Sequence, residues 1–337
     1  MNLKHGLVSR LLLSATLTIV TATWASGKPP GLDDARSQFT FRRYREAIAI
    51  LQASLGRSPS DARLHYWLAR CFYELGDIGN AVVHAESSVR YDSGNSDYHL
   101  LLARAYGRQA ERSHSFSLAR KTRSEFETAI KLNPASIPAR RDLADFHLQA
   151  PWIVGGHKSE ALRQIEAIAA LDPVEGHLAR ASYWRHERKP EKASTEIEQA
   201  LKLKPRHPEP YFEIADFYAD MNDITRMREA VEAVASIGSH DTRLACYQGT
   251  VMVMAGEQLD EAENLLKTCL ASPRSGGDLS GDVSALIWLG RLYEQLNNRE
   301  EAVGRFRAAL QLDPNSHPAR EALERIEDNR KLHPARY

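Results

Sequence analysis

Thirteen histidines and three cysteines are the side chains of this chain best able to support metal or covalent chemistry. Their spacing argues against it. His65, His84, His99, His114, His147 and His186 fall singly, with no H-E-x-x-H pair on a helix face and no Cys/His pattern at zinc-ligand spacing. No metal and no cofactor is expected. A serine nucleophile would need G-x-S-x-G on a strand–turn–helix, and a phosphate site a glycine-rich loop followed by Lys-Ser/Thr; the sequence holds neither. The carboxylate pairs Asp33-Asp34 and Glu300-Glu301 read as charge at helix starts, favourable to the helix dipole. Cys71, Cys246 and Cys269 are too few for a scaffold stapled by disulfides. One bridge, Cys246–Cys269, is open to them, but three small core or groove residues is the preferred reading. No catalytic residue is assigned.

The elements that position these residues follow from composition and repetition. The 337 residues carry 44 basic and 44 acidic side chains, so the surface lacks the clustered positive charge that phosphate backbones require, and a nucleic-acid partner is not expected. With 43% hydrophobic residues and a mean hydropathy of −0.45, the chain reads as globular and not as a polytopic membrane protein. Prolines at 59, 134, 173, 205, 273 and 314 end apolar, alanine-containing runs at intervals near one or two multiples of about 34 residues. The excess over that beat falls at three places: between Tyr106 and Phe126, at Ala150–Lys158, and in the glycine-rich stretch Ser275–Gly281, read as a loop. Residues 283–316 give the clearest unit. Leu286, Leu289, Gly290 and Tyr293 share one helix face, Asn297-Asn298 breaks it, Ala302, Phe306 and Ala309 share a second, and Asp313-Pro314 stops it. Small Gly290 and Ala302 suit a close helix crossing, and each hairpin leaves an apolar face that only stacking can cover.

These residues resemble the tetratricopeptide repeat family, whose pattern is W-x2-L-G-x2-Y, then A-x3-F, then P. In the last unit only the Trp departs, to Leu286. Leu68, Ala69, Phe72 and Ala81 echo the pattern early, followed by Leu102, Ala103, Tyr106, Phe126, Ala129 and Pro134, and then by Tyr211, Ile214, Ala215 and Tyr218. The unit from Val174 is weaker, with His177 and Arg180 at usually apolar positions, and the first unit is a degenerate start carried by Ala47, Leu51 and Pro59. The resemblance implies an all-α, right-handed superhelical solenoid of about eight helix–turn–helix units, near 28–61, 62–95, 96–136, 137–173, 174–207, 208–241, 242–281 and 282–316. Residues 317–337, with Ala319, Ala322, Leu323 and Ile326 on one stripe, cap the stack.

The same resemblance places ligand contacts on outward positions of each unit's first helix. That phase selects Arg63, Tyr66, Arg70 and Tyr73, then Arg104 and Arg108, Arg141 with Asp145, Arg185 with His186, and finally Glu209, Phe212, Asp216 and Asp220. The implied groove is basic and aromatic at its N-terminal end and acidic further along. Guanidinium groups favour carboxylates, so the expected partner is a protein or peptide segment with an acidic or C-terminal carboxylate end; a small-molecule substrate is not indicated. Two readings fit the insertion around Trp152, Ile153 and Val154: a hydrophobic tip that docks a partner, or a loop folded back with Trp152 buried against the solenoid. The packed reading is preferred.

Residues 1–27 run from Lys4 and Arg10 through the apolar Leu11–Trp24 to Ala25, Ser26 and Gly27, the order of a secretory signal peptide. Cleavage near 25–27 and export to a periplasm are expected, with membrane contact only if the segment stays attached. Three function classes follow: a non-enzymatic interaction scaffold in envelope or secretion-complex assembly, which leads; an enzyme or processing factor acting on envelope polymers; and a structural spacer tethered by an uncleaved signal.

Overall fold

The computed structural model describes residues 31–239, 241–272 and 280–332. The expected signal segment 1–27 and most of the Ser275–Gly281 stretch lie outside them; the helix expected to start after that stretch already begins at Ser280. Among the described residues there are only helices and turns. They pair as α1 (Leu32–Thr40) with α2 (Tyr44–Leu55), α3 (Ala62–Glu74) with α4 (Ile78–Tyr91), α5 (Ser96–Ser113) with α6 (Phe116–Leu132), and α7 (Ile137–Gln149) with α8 (Lys158–Leu171). Then come α9 (Pro173–His186) with α10 (Pro190–Lys202), α11 (Pro208–Asp220) with α12 (Ile224–Ser236), α13 (Arg243–Ala255) with α14 (Leu259–Ala271), and α15 (Ser280–Gln295) with α16 (Arg299–Leu312). Helix α17 (His317–Leu332) packs on α16 and ends the stack, its Ala319, Ala322 and Ile326 buried.

Local chemistry sets the helix ends. Asp61, Asn95, Ser115, Ser136, Asp172, Asp223 and Asn298 each accept a first-turn backbone N–H on a side-chain oxygen, the usual N-cap bond. The turn from first to second helix passes through the left-handed region at Arg42, His114, Arg188, Asn222, Gln258 and Asn297, which ends one helix and reverses the chain. The excess between Tyr106 and Phe126 is not a loop: α5 and α6 are simply longer, 18 and 17 residues, so the third hairpin protrudes beyond its neighbours.

Small residues fix the crossings. Ala47, Ala69, Ala81, Ala103, Ala129, Ala193, Ala215 and Ala302 are wholly enclosed, with Leu, Ile, Phe and Tyr filling the space between hairpins. At Gly290 an added Cβ would lie 2.5 Å from the Phe306 ring, so α15 and α16 close as far as glycine alone permits. First helices of successive units also touch one another (α1–α3, α3–α5, α7–α9, α9–α11, α13–α15), while no comparably extensive contact joins two second helices. The first helices therefore line the inner, concave side. The stack returns on itself: Arg42, in the α1–α2 turn, forms a buried ion pair with Asp282 at the start of α15.

Cys246 and Cys269 form a disulfide between α13 and α14, correcting the preferred reading of three separate cysteines. The two positions share the face on which these helices meet, beside Leu266 and Leu289. Cys71 alone fits that reading: it is buried, and desolvation pushes its thiol up to about 12, so it has little thiolate to react.

Candidate functional site

The concave wall is built by side chains from α3, α5, α7, α9, α11, α13 and α15. At its N-terminal end, Arg70 lies on aromatic faces, 4.5 Å above Phe39 and 4.6 Å above Trp67, and Tyr66 packs on Tyr98 at 5.0 Å. Arg108 sits 5.3 Å over Tyr73. Such stacking holds a guanidinium in place on the wall. Arg63 is turned instead to its own helix start, bidentate to the Asp61 carboxylate at 2.8 and 3.2 Å.

Further along, the expected groove arginines are engaged by acids of neighbouring first helices. Arg104 donates to Asp142 at 2.6 Å. Arg141 bridges Glu213 at 2.8 and 3.2 Å and Glu175 at 3.2 Å, joining α7 to α9 and α11. Arg185 pairs with Asp220, and Arg243 with Glu209 at 2.9 Å. The basic and acidic halves seen in the sequence are thus partly interlocked. Phe212 is not available to a ligand: it is buried and stacked on Tyr247 at 4.6 Å.

Two cavities lie among these helices, and Glu213 of the Arg141 cluster lines the second. One, of about 660 Å³, runs from Tyr73, Arg104 and Arg108 past Asp142 and Asp145 to Phe116 and Pro151. The other, of about 830 Å³, is lined by Glu213, Asp216, Tyr247, Trp288 and Arg291, among others. Each contains a carboxyl group that resists ionisation. Burial, with Asp142 and then Glu213 against a partial offset from Arg141, pushes Asp145 up to about 6. Asp216 is pushed up to about 6 by burial, although the Tyr247 hydroxyl donates to it at 3.0 Å; Asp220 and Glu213 add to the rise. Both acids stand where a cation would be welcome.

The insertion after α7 is divided. Val154 is 2% exposed and packs into the wall, whereas Trp152 and Ile153 are 78% and 52% exposed. The preferred packed reading of Trp152 is therefore corrected. Pro151 and the short 3-10 turn Trp152–Val154 carry the indole outward while Val154 anchors the loop.

Histidine roles escaped the sequence reading. His65 Nε2–H donates to the Pro59 carbonyl at 3.0 Å, and its bare Nδ1 accepts from His84 Nδ1–H at 3.0 Å. His99 contacts the Ser93 carbonyl at 3.1 Å and Glu125 at 2.6 Å. Arg140 does the same with the Pro134 carbonyl and Gln164, and His177 meets Glu196 at 2.7 Å. In the second to fifth hairpins a polar residue of the first helix thus ties it to the preceding turn, to the facing second helix, or to both. The recurrence of 65, 99 and 140 in repeat phase was the available signal. Among the described residues no group of three His, Cys, Asp or Glu side chains gathers as a metal site would require, and no helix is long and apolar enough to cross a membrane.

Hairpins stacked with their first helices inward define an α-solenoid of the tetratricopeptide kind. Tetratricopeptide repeat profiles match residues 39–105 and 283–316, and the chain resembles that family. No curated protein matches it. Similar solved structures include a tetratricopeptide repeat protein from Parabacteroides merdae, 14% identical, covering 88% of this chain and 97% of that one with a TM-score of 0.48. A thermophilic TPR protein of Thermus thermophilus is 19% identical over 56% of this chain and 97% of its own, TM-score 0.46. Yeast Tom70 is 13% identical over 90% and 96%, TM-score 0.41.

Proposed function

We propose that the protein is an interaction scaffold of the cell envelope that holds an extended segment of a partner protein along its concave wall, in envelope or secretion-complex assembly. The repeat fold suggests protein–protein interaction in general, and proteins of this fold are generally not enzymes. One observation carries the finer reading: the wall presents stacked guanidinium groups at one end and carboxyls that resist ionisation in its middle. A segment with an acidic or carboxylate end at Arg70 and Arg108, and a cationic side chain reaching Asp145 or Asp216, satisfies both. Exported location is supported by the N-terminal pattern and by the Cys246–Cys269 pairing, which persists in oxidising compartments.

The test is capture from the native envelope by tagged protein. Arg70→Glu with Arg108→Glu should lower recovery of the partner at least about tenfold, the scale of a lost charge-assisted contact. Undiminished recovery would defeat the assignment of the N-terminal end. Loss of a measurable reaction on substitution of one residue, with capture unchanged, would favour an enzyme instead.

A further inference from the structure

Each hairpin reverses the chain, so the turns leading from first to second helices lie along one edge of the stack. Charge is divided along that edge. Lys158 and Arg163 are matched by Glu187 and Glu160 and leave no net charge. Beyond those pairs, the turn ends of the third to fifth hairpins expose Arg112, Arg120, Arg188, Lys189 and Lys192 against Glu111 and Glu191. Arg112 donates to the Gly76 carbonyl, and Lys189 and Lys192 lie over the Trp184 ring, contacts that leave their positive charge uncompensated. At the seventh and eighth hairpins acids predominate, with Asp260, Glu261 and Glu300 exposed.

The most exposed apolar side chains of the edge sit where it is basic. Trp152 and Ile153 are 78% and 52% exposed, and Phe116, 53% exposed, opens the neighbouring α6. Helix α6 packs on the Trp152–Val154 turn, which brings the three into one patch. The loop is fixed from behind. The Pro151 carbonyl accepts N–H bonds from Val154 and Gly156 at 3.1 and 3.2 Å, and His147 Nδ1–H donates to the Gly155 carbonyl at 2.8 Å. Gly156 is pressed on Ala150, where an added Cβ would collide with the carbonyl oxygen. With Val154 buried, the two residues before it project outward, and neither lines the cavity behind them.

We propose that this basic part of the edge docks on an anionic lipid surface, with Trp152 and Ile153 inserted at the headgroup level. Shape and charge together select that occupant. A projecting indole needs a medium that parts around it; a lipid interface does so without a matching pocket, and accommodates both the apolar ring and its N–H. The flanking arginines and lysines complement anionic headgroups, each adding a modest, salt-sensitive attraction. The acidic far part of the edge is repelled, which sets the orientation. A small inserted area backed by charge gives reversible association. The contact does not depend on residues 1–27, and the first-helix wall takes no part in it. Its failure would therefore leave partner capture untouched, and the reverse.

The test uses the protein as recovered from its native envelope. Sedimentation should carry it down with phosphatidylcholine vesicles containing about 30% phosphatidylglycerol, and not with phosphatidylcholine alone. The bound fraction should fall as salt is raised. Trp152→Glu should weaken the partition at least about tenfold, the scale of one apolar side chain kept in water. Lys189→Glu with Lys192→Glu should weaken it on the order of tenfold as well. Leu296→Glu, at an exposed apolar residue of the eighth turn, should change nothing. Because Trp152 is exposed, its variant should keep the parental melting curve. A dye attached to Trp152→Cys should be quenched by lipids brominated in their tails, and one attached to Val83→Cys should not. A parental protein that ignores anionic vesicles, or binding that survives both Trp152→Glu and the lysine pair, would overturn the proposal. So would a Trp152→Glu chain that loses capture of an envelope protein when the parent binds no vesicles, which would give the tip to a protein.

Discussion

Two kinds of residue in this protein are held away from their preferred protonation, and they respond oppositely to acid. Burial, with His65 opposite, lowers His84 to about 4 from an ordinary 6.5. The folded hairpin therefore refuses a proton that the unfolded chain accepts. No penalty exists above pH 6.5; it grows as pH falls through that value and is complete near pH 4, at roughly 1–2 kcal/mol after allowance for partial exposure. Urea unfolding across that range should show the fall, and His84→Gln should flatten it. Asp145 and Asp216 go the other way. Their folded values, about 6, exceed the ordinary 3.8, so their ionisation costs stability that is fully lost above pH 6 and regained as pH falls towards 4. Asp145→Asn should raise the melting temperature at pH 7.5 and leave it nearly unchanged at pH 4, while weakening partner capture at pH 7.5. A higher melting temperature with undiminished capture would make Asp145 a structural acid and nothing more.

At the scale of helices, much was legible in the residues and some was not. The small residues of the crossings recur in phase because every hairpin solves the same steric problem, so the spacing, together with the family resemblance, pointed to an all-helical stack of hairpins. Gly290 illustrates the constraint. Gly290→Leu would drive a side chain into the Phe306 ring and should cost about 1–3 kcal/mol, with amide exchange accelerating first in α15 and α16. Unchanged exchange there would mean that the crossing is looser than its 2.5 Å clearance implies. Pairings between units were not legible. Arg141 meets Glu213 across the intervening hairpin, a contact set by superhelical curvature, which no local pattern encodes. Trp152 misled for a related reason: an indole is usually buried, and only the anchoring of Val154 and the compressed Gly156 determine that this one faces outward. The cysteine pairing likewise depends on α13 and α14 presenting both residues on one shared face.

For the whole molecule, stacking produces a curved wall and also brings its ends together. The buried Arg42–Asp282 pair joins the first unit to the eighth, and Arg108, whose charge burial opposes, is favoured by Tyr73, Glu111 and then Asp313 from the far end of the stack. Removing one partner leaves the other charge buried, which is costly. Arg42→Glu should therefore open the stack and raise the radius of gyration in small-angle scattering, and adding Asp282→Arg should restore it. An unaltered scattering curve would show that curvature alone, without the pair, sets the shape.

The central claim is that the first-helix wall, and no other surface, holds the partner segment. Its most direct test places a photo-reactive benzophenone residue at Tyr73, at Tyr247 or at Val83, which is exposed on the second helix α4, and irradiates the protein in its native envelope. The account predicts adducts to the same partner chain from positions 73 and 247 and none from 83. Adducts from position 83 with none from the other two would contradict it.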